Sequence, residues 1–162
     1  PNYMLQKAIS LKSFMIPAQI KEIGTNVFDG CTSLTAIEIP ETVTKIGNYA
    51  FQATGLKSVV LHSKLSFTSL TTSQYLFKNC VDLESVYFDP AAKVTMIPNY
   101  MFEGCTSLTS IEIPNSVTSI DNSAFNSCAS LNSLLFWVIF WIFILGLPIT
   151  SKHHTKKKIK CF

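Results

Sequence analysis

The stretch "VFDGCTSLTAIEIP" at Val27–Pro40 returns at Met101–Pro114 as "MFEGCTSLTSIEIP". Looser copies stand at Ala50–His62 ("AFQATGLKSVVLH"), Leu76–Pro90 ("LFKNCVDLESVYFDP") and Ala124–Trp137 ("AFNSCASLNSLLFW"). The tetrapeptide "PNYM" also recurs, at Pro1–Met4 and Pro98–Met101, and the residues after it agree without a gap up to Pro17 and Pro114. The phenylalanines Phe28, Phe51, Phe77, Phe102 and Phe125 mark the period, with spacings of 23, 26, 25 and 23. One such unit cannot bury its own apolar face, whereas stacked units share a continuous core. The repetition therefore predicts a solenoid.

Within a unit, Leu34–Ile39 ends in alternating apolar and polar residues, which predicts a short strand with Ile37 and Ile39 inward and Glu38 outward. Pro40 ends it, because proline has no ladder donor. Val43, Ile46, Ala50 and Phe51 face inward on the return path. Six strand-like copies follow this pattern: Leu11–Ile16, Leu34–Ile39, Leu56–Leu61, Leu83–Phe88, Leu108–Ile113 and Leu131–Phe136. Equivalent positions such as Ile37, Val59, Val86 and Ile111 should pair in parallel. The insertion within Ser63–Gln74 should form a surface loop.

The phased elements "IPxxVTxIGxxAFxxCTSLTxIxIP" resemble the BspA-like leucine-rich repeats of bacterial and trichomonad surface proteins, over roughly Leu5–Leu134. A period near 23 also lies in the leucine-rich-repeat range. The fold expected is an α/β-type repeat solenoid, right-handed, with a parallel concave sheet and one C-terminal apolar transmembrane helix. The asparagine ladder of commoner leucine-rich repeats is missing, with Thr42 where that asparagine would stand. The resemblance implies adhesion through protein–protein binding, including to extracellular-matrix proteins such as fibronectin.

Charge is divided along the chain. Residues 1–133 hold 8 Lys and 10 acidic residues, net −2, whereas residues 151–162 hold 5 Lys and no acid. The chain has no arginine, the usual reader of guanine edges. An acidic repeat region without arginine argues against a nucleic-acid partner. Cys31, Cys80, Cys105 and Cys128 occupy one repeat position, three after the phenylalanine, with Thr54 replacing it in the copy of Phe51. That repetition predicts small buried side chains. Disulfides among Cys80, Cys105 and Cys128 remain the alternative, and no C-x-x-C pair suggests zinc.

From Leu134 to Ile149 the sequence "LLFWVIFWIFILGLPI" carries no charge, and "TSKHHTKKKIKCF" follows. An apolar run with a lysine flank predicts a membrane segment with a cytoplasmic tail. The organisation expected is repeats over 1–133, a transmembrane segment over 134–150 and a basic tail over 151–162. Localisation follows as a single-pass cell-membrane protein with its repeats extracellular. A buried cap or interfacial helix is the structural alternative for the apolar run. A cytosolic repeat scaffold tail-anchored to an internal membrane is the functional one.

No phosphate loop, nucleophile–base pair or metal-spaced cluster is present, so neither enzyme activity nor a cofactor is expected. His62 replaces the repeat proline at a strand end and is expected to be exposed. What remains is the concave strip. Its central column contains Met15, Glu38, Val60, Tyr87 and Glu112, and its flanking column Lys12, Lys57 and Glu84. These eight residues are the candidate protein-binding set, with Tyr87 as the aromatic anchor. The loop around Ser66–Ser73 is a rival site.

Overall fold

The computed structural model describes residues 1–65, 73–92, 94–121 and 123–136, with only the backbone described for Ser133–Phe136. In chain order the strands are β1 (Glu22–Ile23), β2 (Lys45–Ile46), β3 (Ser58–Leu61), β4 (Ser85–Phe88), β5 (Met96–Ile97), β6 (Ser110–Ile113), β7 (Ser119–Ile120) and β8 (Ser133–Phe136). All pairings among them are parallel. β3, β4, β6 and β8 form one four-stranded sheet in that order. A parallel bridge between Met15 and Glu38 joins the two preceding coils in the same column. The V-x-x-I segments after the strand-ending turn, with Ile20–Ile23 in the first coil, make a second column of two-residue ladders, β1–β2 and β5–β7.

The pleat sorts side chains as the sequence pattern requires. Along β3, β4 and β6 the residues alternate exposed and buried. Val59, Val86 and Ile111 are buried, in register on adjacent strands. The expected pairing of Ile37 is corrected, because coil 2 (the repeat of Phe28) and coil 3 (the repeat of Phe51) share no ladder there; only the bond leading into it remains, Lys57 N donating to Thr35 O at 3.2 Å as Glu84 N does to Lys57 O. The turn that leads into coil 3 is also one residue shorter. Leu56 follows Phe51 by 5 residues, whereas Leu34 follows Phe28 by 6. Gly55 closes this shortened turn, and a Cβ there would collide with the carbonyl oxygen of Thr32.

The convex side is made of turns, and no α-helix occurs among the described residues. The α/β-type expectation is thus met only in its β half. The backbone gives the reason. In every coil, the residues two before and two after the anchor have φ near +60°: Tyr3 and Lys7 around Leu5, Asn26 and Gly30 around Phe28, Tyr49 and Ala53 around Phe51. The pattern continues with Tyr75 and Asn79, Tyr100 and Gly104, and Ser123 and Ser127. A left-handed residue at every fourth position stops a right-handed helix from propagating. The turn N–H groups bond instead to the next coil, as in Phe28 N to Ala50 O (2.8 Å), Phe51 N to Leu76 O (3.1 Å) and Phe77 N to Met101 O (2.9 Å).

Inside, the five phenylalanines stack as a spine with centroids 5.3–5.6 Å apart and nearly parallel rings. Phe51, Phe77 and Phe102 are wholly buried. Each repeat cysteine is buried beside this spine and donates its S–H to the preceding coil: Cys31 to Leu5 O (3.1 Å), Cys80 to Phe51 O (3.0 Å), Cys105 to Phe77 O (3.2 Å) and Cys128 to Phe102 O (3.0 Å). All four are free thiols. Burial pushes the Cys80 thiol up from 9.0 to about 11, and raises Cys105 further in the same direction. Thr54 fills the same position but bonds differently, its hydroxyl donating to Phe51 O of its own coil at 3.0 Å and lying 3.2 Å from Cys80 Sγ.

β8 pairs with β6 through Ile111↔Leu134 and Ile113↔Phe136, so the sheet continues to Phe136. The rest of the apolar segment, from Trp137, and the basic tail lie outside the described residues. Among the described residues no helix is long and apolar enough to cross a membrane.

Candidate protein-interaction face

Solenoid geometry places all eight candidate residues, Lys12, Met15, Glu38, Lys57, Val60, Glu84, Tyr87 and Glu112, on exposed positions of the concave column. The backbone brings some of them together directly. Met15 bridges Glu38, and Val60 pairs with Tyr87. Glu84 N donates to Lys57 O at 2.9 Å. Met15 is 88% exposed, Val60 57% and Tyr87 52%, so three large apolar or aromatic side chains stand in solvent on one strip. Single exposed apolar residues need no explanation, but their alignment with carboxylates makes a graded, partly charged surface.

Two depressions interrupt this face, each where strand pairing fails. One of about 310 Å³ lies between coil 2 and coil 3, lined by Phe14, Ile37, Glu38 and Val60 among others. The other, about 290 Å³, lies between β4 and β6 and runs from Tyr87 and Glu112 to Pro90, Pro114, Asn115 and Ser116. Its origin is chemical. β3 and β4 pair over four positions, and their last bond runs from Asp89 N to Leu61 O at 2.9 Å. β4 and β6 pair at only two positions, Ser85↔Ser110 and Val86↔Ile111. In the register of β6, Pro114 stands where Asp89 stands beside β3, and proline has no N–H to give to Phe88 O. The strand-to-return connection also lengthens by two residues here: Ile97 follows Phe88 by 9, whereas Ile120 follows Ile113 by 7.

The rival loop, Ser66–Ser73, lies outside the described residues except for Ser73, which is buried with its Oγ donating to Ile46 O at 2.6 Å. The expected exposure of His62 is corrected: it is 6% exposed. The chain turns back over it, with Leu65 N donating to His62 O (3.2 Å) and Lys64 N to His62 Nδ1 (3.3 Å). Burial lowers its pKa below the usual 6.5.

Two residue columns escaped the sequence pattern. Asn2 and Asn48 each use Oδ1 to accept the backbone N–H of the next coil, from Thr25 and Gln74, at 2.9 Å. Asparagine thus bridges two pairs of coils on the convex turns rather than at Thr42. Beside it, Tyr49, Tyr75 and Tyr100 stack with centroids 4.5 and 4.8 Å apart. Lys78 Nζ lies over Tyr75 and Tyr100 and pairs with Glu103 at 2.8 Å, a contact that raises its pKa. The phase of the three tyrosines, each two before a phenylalanine, was the available signal. Among the described residues no three His, Cys, Asp or Glu side chains gather as a metal site.

The model of the BspA type leucine rich repeat region matches residues 1–132 in six copies. A leucine-rich repeat protein from Bacteroides ovatus is similar at 26% identity and a TM-score of 0.73, over 80% of this chain and 32% of its own. A leucine rich repeat protein from T. pallidum is 28% identical, with a TM-score of 0.50, over 82% of this chain and 49% of its own. A leucine rich cell surface protein from Faecalibacterium prausnitzii shares the fold at 22% identity and a TM-score of 0.52, over 78% of this chain and 48% of its own. The chain thus spans a third to a half of the length of these structures. No curated protein matches it.

Proposed function

The chain belongs to the BspA-type leucine-rich repeat family, and we propose that it is a membrane-anchored cell-surface protein that binds other proteins, without catalysis, through its concave strip. Leucine-rich repeat domains of this kind mediate protein–protein binding. The observation that carries the reading is the continuous row of exposed side chains from successive coils, Met15, Glu38, Val60, Tyr87 and Glu112, on one face. Only there does every repeat contribute to a single surface. A matrix protein such as fibronectin is the partner class to try first, with the repeats outside the cell.

The anchor is the apolar run with its lysine flank. The five tail lysines suit an anionic inner leaflet, so the C-terminus is assigned to the cytoplasm. One observation favours a second reading of the run. With Leu134–Phe136 in β8, Trp137–Ile149 leaves 13 apolar residues, about 20 Å as a helix against a hydrocarbon core of about 30 Å. Such a length also suits a segment lying in the interface.

The test uses the full chain in proteoliposomes over immobilised fibronectin. Binding should be lost when Met15, Val60 and Tyr87 are all changed to Thr; binding unchanged by that triple variant would remove the concave strip from the proposal. Protease added to intact cells should cleave an epitope in 21–41 and spare one in 156–162. The reverse pattern would point to a cytosolic scaffold on an internal membrane.

A further inference from the structure

Five successive coils leave the concave column by the same turn, in which an N–H three residues on donates to the carbonyl of the strand-ending residue. The pairs are Ile20 to Pro17 (3.0 Å), Val43 to Pro40 (2.9 Å), Leu65 to His62 (3.2 Å), Ala92 to Asp89 (2.8 Å) and Val117 to Pro114 (3.0 Å). In three coils proline fixes the first φ of the turn in advance. Coil 3 holds it with an imidazole instead: Lys64 N donates to His62 Nδ1 at 3.3 Å. Because Nδ1 accepts, the proton of the neutral ring sits on Nε2, and Nε2 is buried without a hydrogen-bond partner.

We propose that the His62–Leu65 turn is released by acid: a proton taken up at Nδ1 removes the acceptor of Lys64 N–H, the turn opens, and Leu65, wholly buried when it is closed, enters solvent. The charged groups around the ring come from three coils. Glu41 of coil 2 is tied to Lys64 at 3.5 Å, and Asp89 of coil 4 spends Oδ1 on Ala91 N at 2.8 Å. Neither carboxylate bonds to Nε2. Burial is the largest influence and pushes the His62 pKa below the usual 6.5; Lys64 acts in the same direction, against the Pro40 carbonyl, Glu41 and Asp89. The closed turn therefore prefers the neutral ring, whereas the open turn places it in water. Opening becomes more favourable as pH falls below 6.5, by up to about tenfold per pH unit, and levels off below the folded value. The turns that begin on proline carry no such proton.

The experiment is amide hydrogen exchange of the full ¹⁵N-labelled chain in detergent micelles, followed by NMR from about pH 7 to about pH 5 and expressed as protection relative to a free amide at each pH. Protection of the Leu65 amide should fall as pH drops below 6.5, at up to about tenfold per pH unit. The equivalent amides of Val43 and Val117, which bond to Pro40 and Pro114, should keep theirs. His62→Asn retains an acceptor two residues before Lys64 N, as Asp89 does for Ala91 N, and does not titrate. In that variant the Leu65 protection should no longer depend on pH. Constant Leu65 protection in the unsubstituted chain would overturn the proposal, and so would an equal acid loss in His62→Asn. A parallel fall at Leu65, Val43 and Val117 would replace local release of one turn by unfolding of the whole array. The comparison of these three amides within the unsubstituted chain decides the matter even if His62→Asn does not fold.

Discussion

The β3–β4 junction and the β4–β6 junction join the same kinds of coil and differ in how their ladders end. Beside β3, Asp89 donates its N–H to Leu61 and the ladder runs over four pairs. Beside β4, Pro114 has no N–H, the ladder stops after two pairs, and a groove opens. Both junctions are closed identically on the inside, where Phe51, Phe77 and Phe102 stack and Cys80 and Cys105 bond to the coil before. Stability therefore resides in the positions that repeat, and a binding surface can form where the repeat is broken. The interior keeps small or apolar side chains at each repeated position, Thr54 included, and the concave rim varies more freely.

The contrast is broken most severely through the spine. Phe77→Ala should cost about 3–5 kcal/mol in urea denaturation, because it removes a buried ring between two stacked neighbours. A loss below about 1 kcal/mol would show that the coils are not coupled through the phenylalanines. Next in size is Gly55→Ala, at about 2 kcal/mol, because its methyl would meet the Thr32 carbonyl with no flexible atom to yield. An unchanged midpoint would mean that the shortened turn of coil 3 can relax.

The thiols sharpen the same contrast through pH. Cys80 is raised from 9.0 to about 11 by burial, so the unfolded chain loses this proton first. Its contribution is complete below pH 9 and falls as pH rises toward 11. His62 acts on the other flank: its pKa is lowered from 6.5, chiefly by burial. That contribution is complete above pH 6.5 and falls as pH drops through the folded value. The urea midpoint should therefore decline on both sides of a plateau between about pH 6.5 and 9. Cys80→Thr should flatten the alkaline limb, and an alkaline limb of unchanged slope in that variant would show that the thiol is not its source.

The smallest expected effect lies in the convex turns. Ala53 has φ +51° at a position that Gly30 and Gly104 fill without strain. Ala53→Gly should stabilise by about 0.5–1 kcal/mol, the relief of a left-handed Cβ offset by added freedom in the unfolded chain. A destabilisation would mean that the methyl contributes packing greater than its strain.

The contrast also marks what could be read from the residues. The phenylalanines, the cysteine column and the in-and-out alternation of Val59, Val86 and Ile111 were legible because each recurs in phase. The left-handed residues were not, because Tyr49, Ala53, Lys7 and Ser127 do not announce a positive φ as Gly30 does. His62 was misjudged because its burial depends on a turn made by the insertion that follows it. The groove was illegible for a deeper reason: Pro114 looks like every other strand-ending proline, and its missing N–H matters only opposite Phe88. All eight candidates are exposed, whereas nothing in the repeat says what partner such a surface would take.

The central claim is that the concave strip contributes almost nothing to folding, which leaves its sequence available for recognition. The most direct test is the urea-unfolding free energy of one variant in which Met15, Glu38, Val60, Tyr87 and Glu112 are all replaced by Thr, a residue suited to exposed strands. The five changes together should cost less than about 1 kcal/mol, as exposed substitutions do. A loss of about 3–5 kcal/mol, equal to that of the single Phe77→Ala change, would contradict the account.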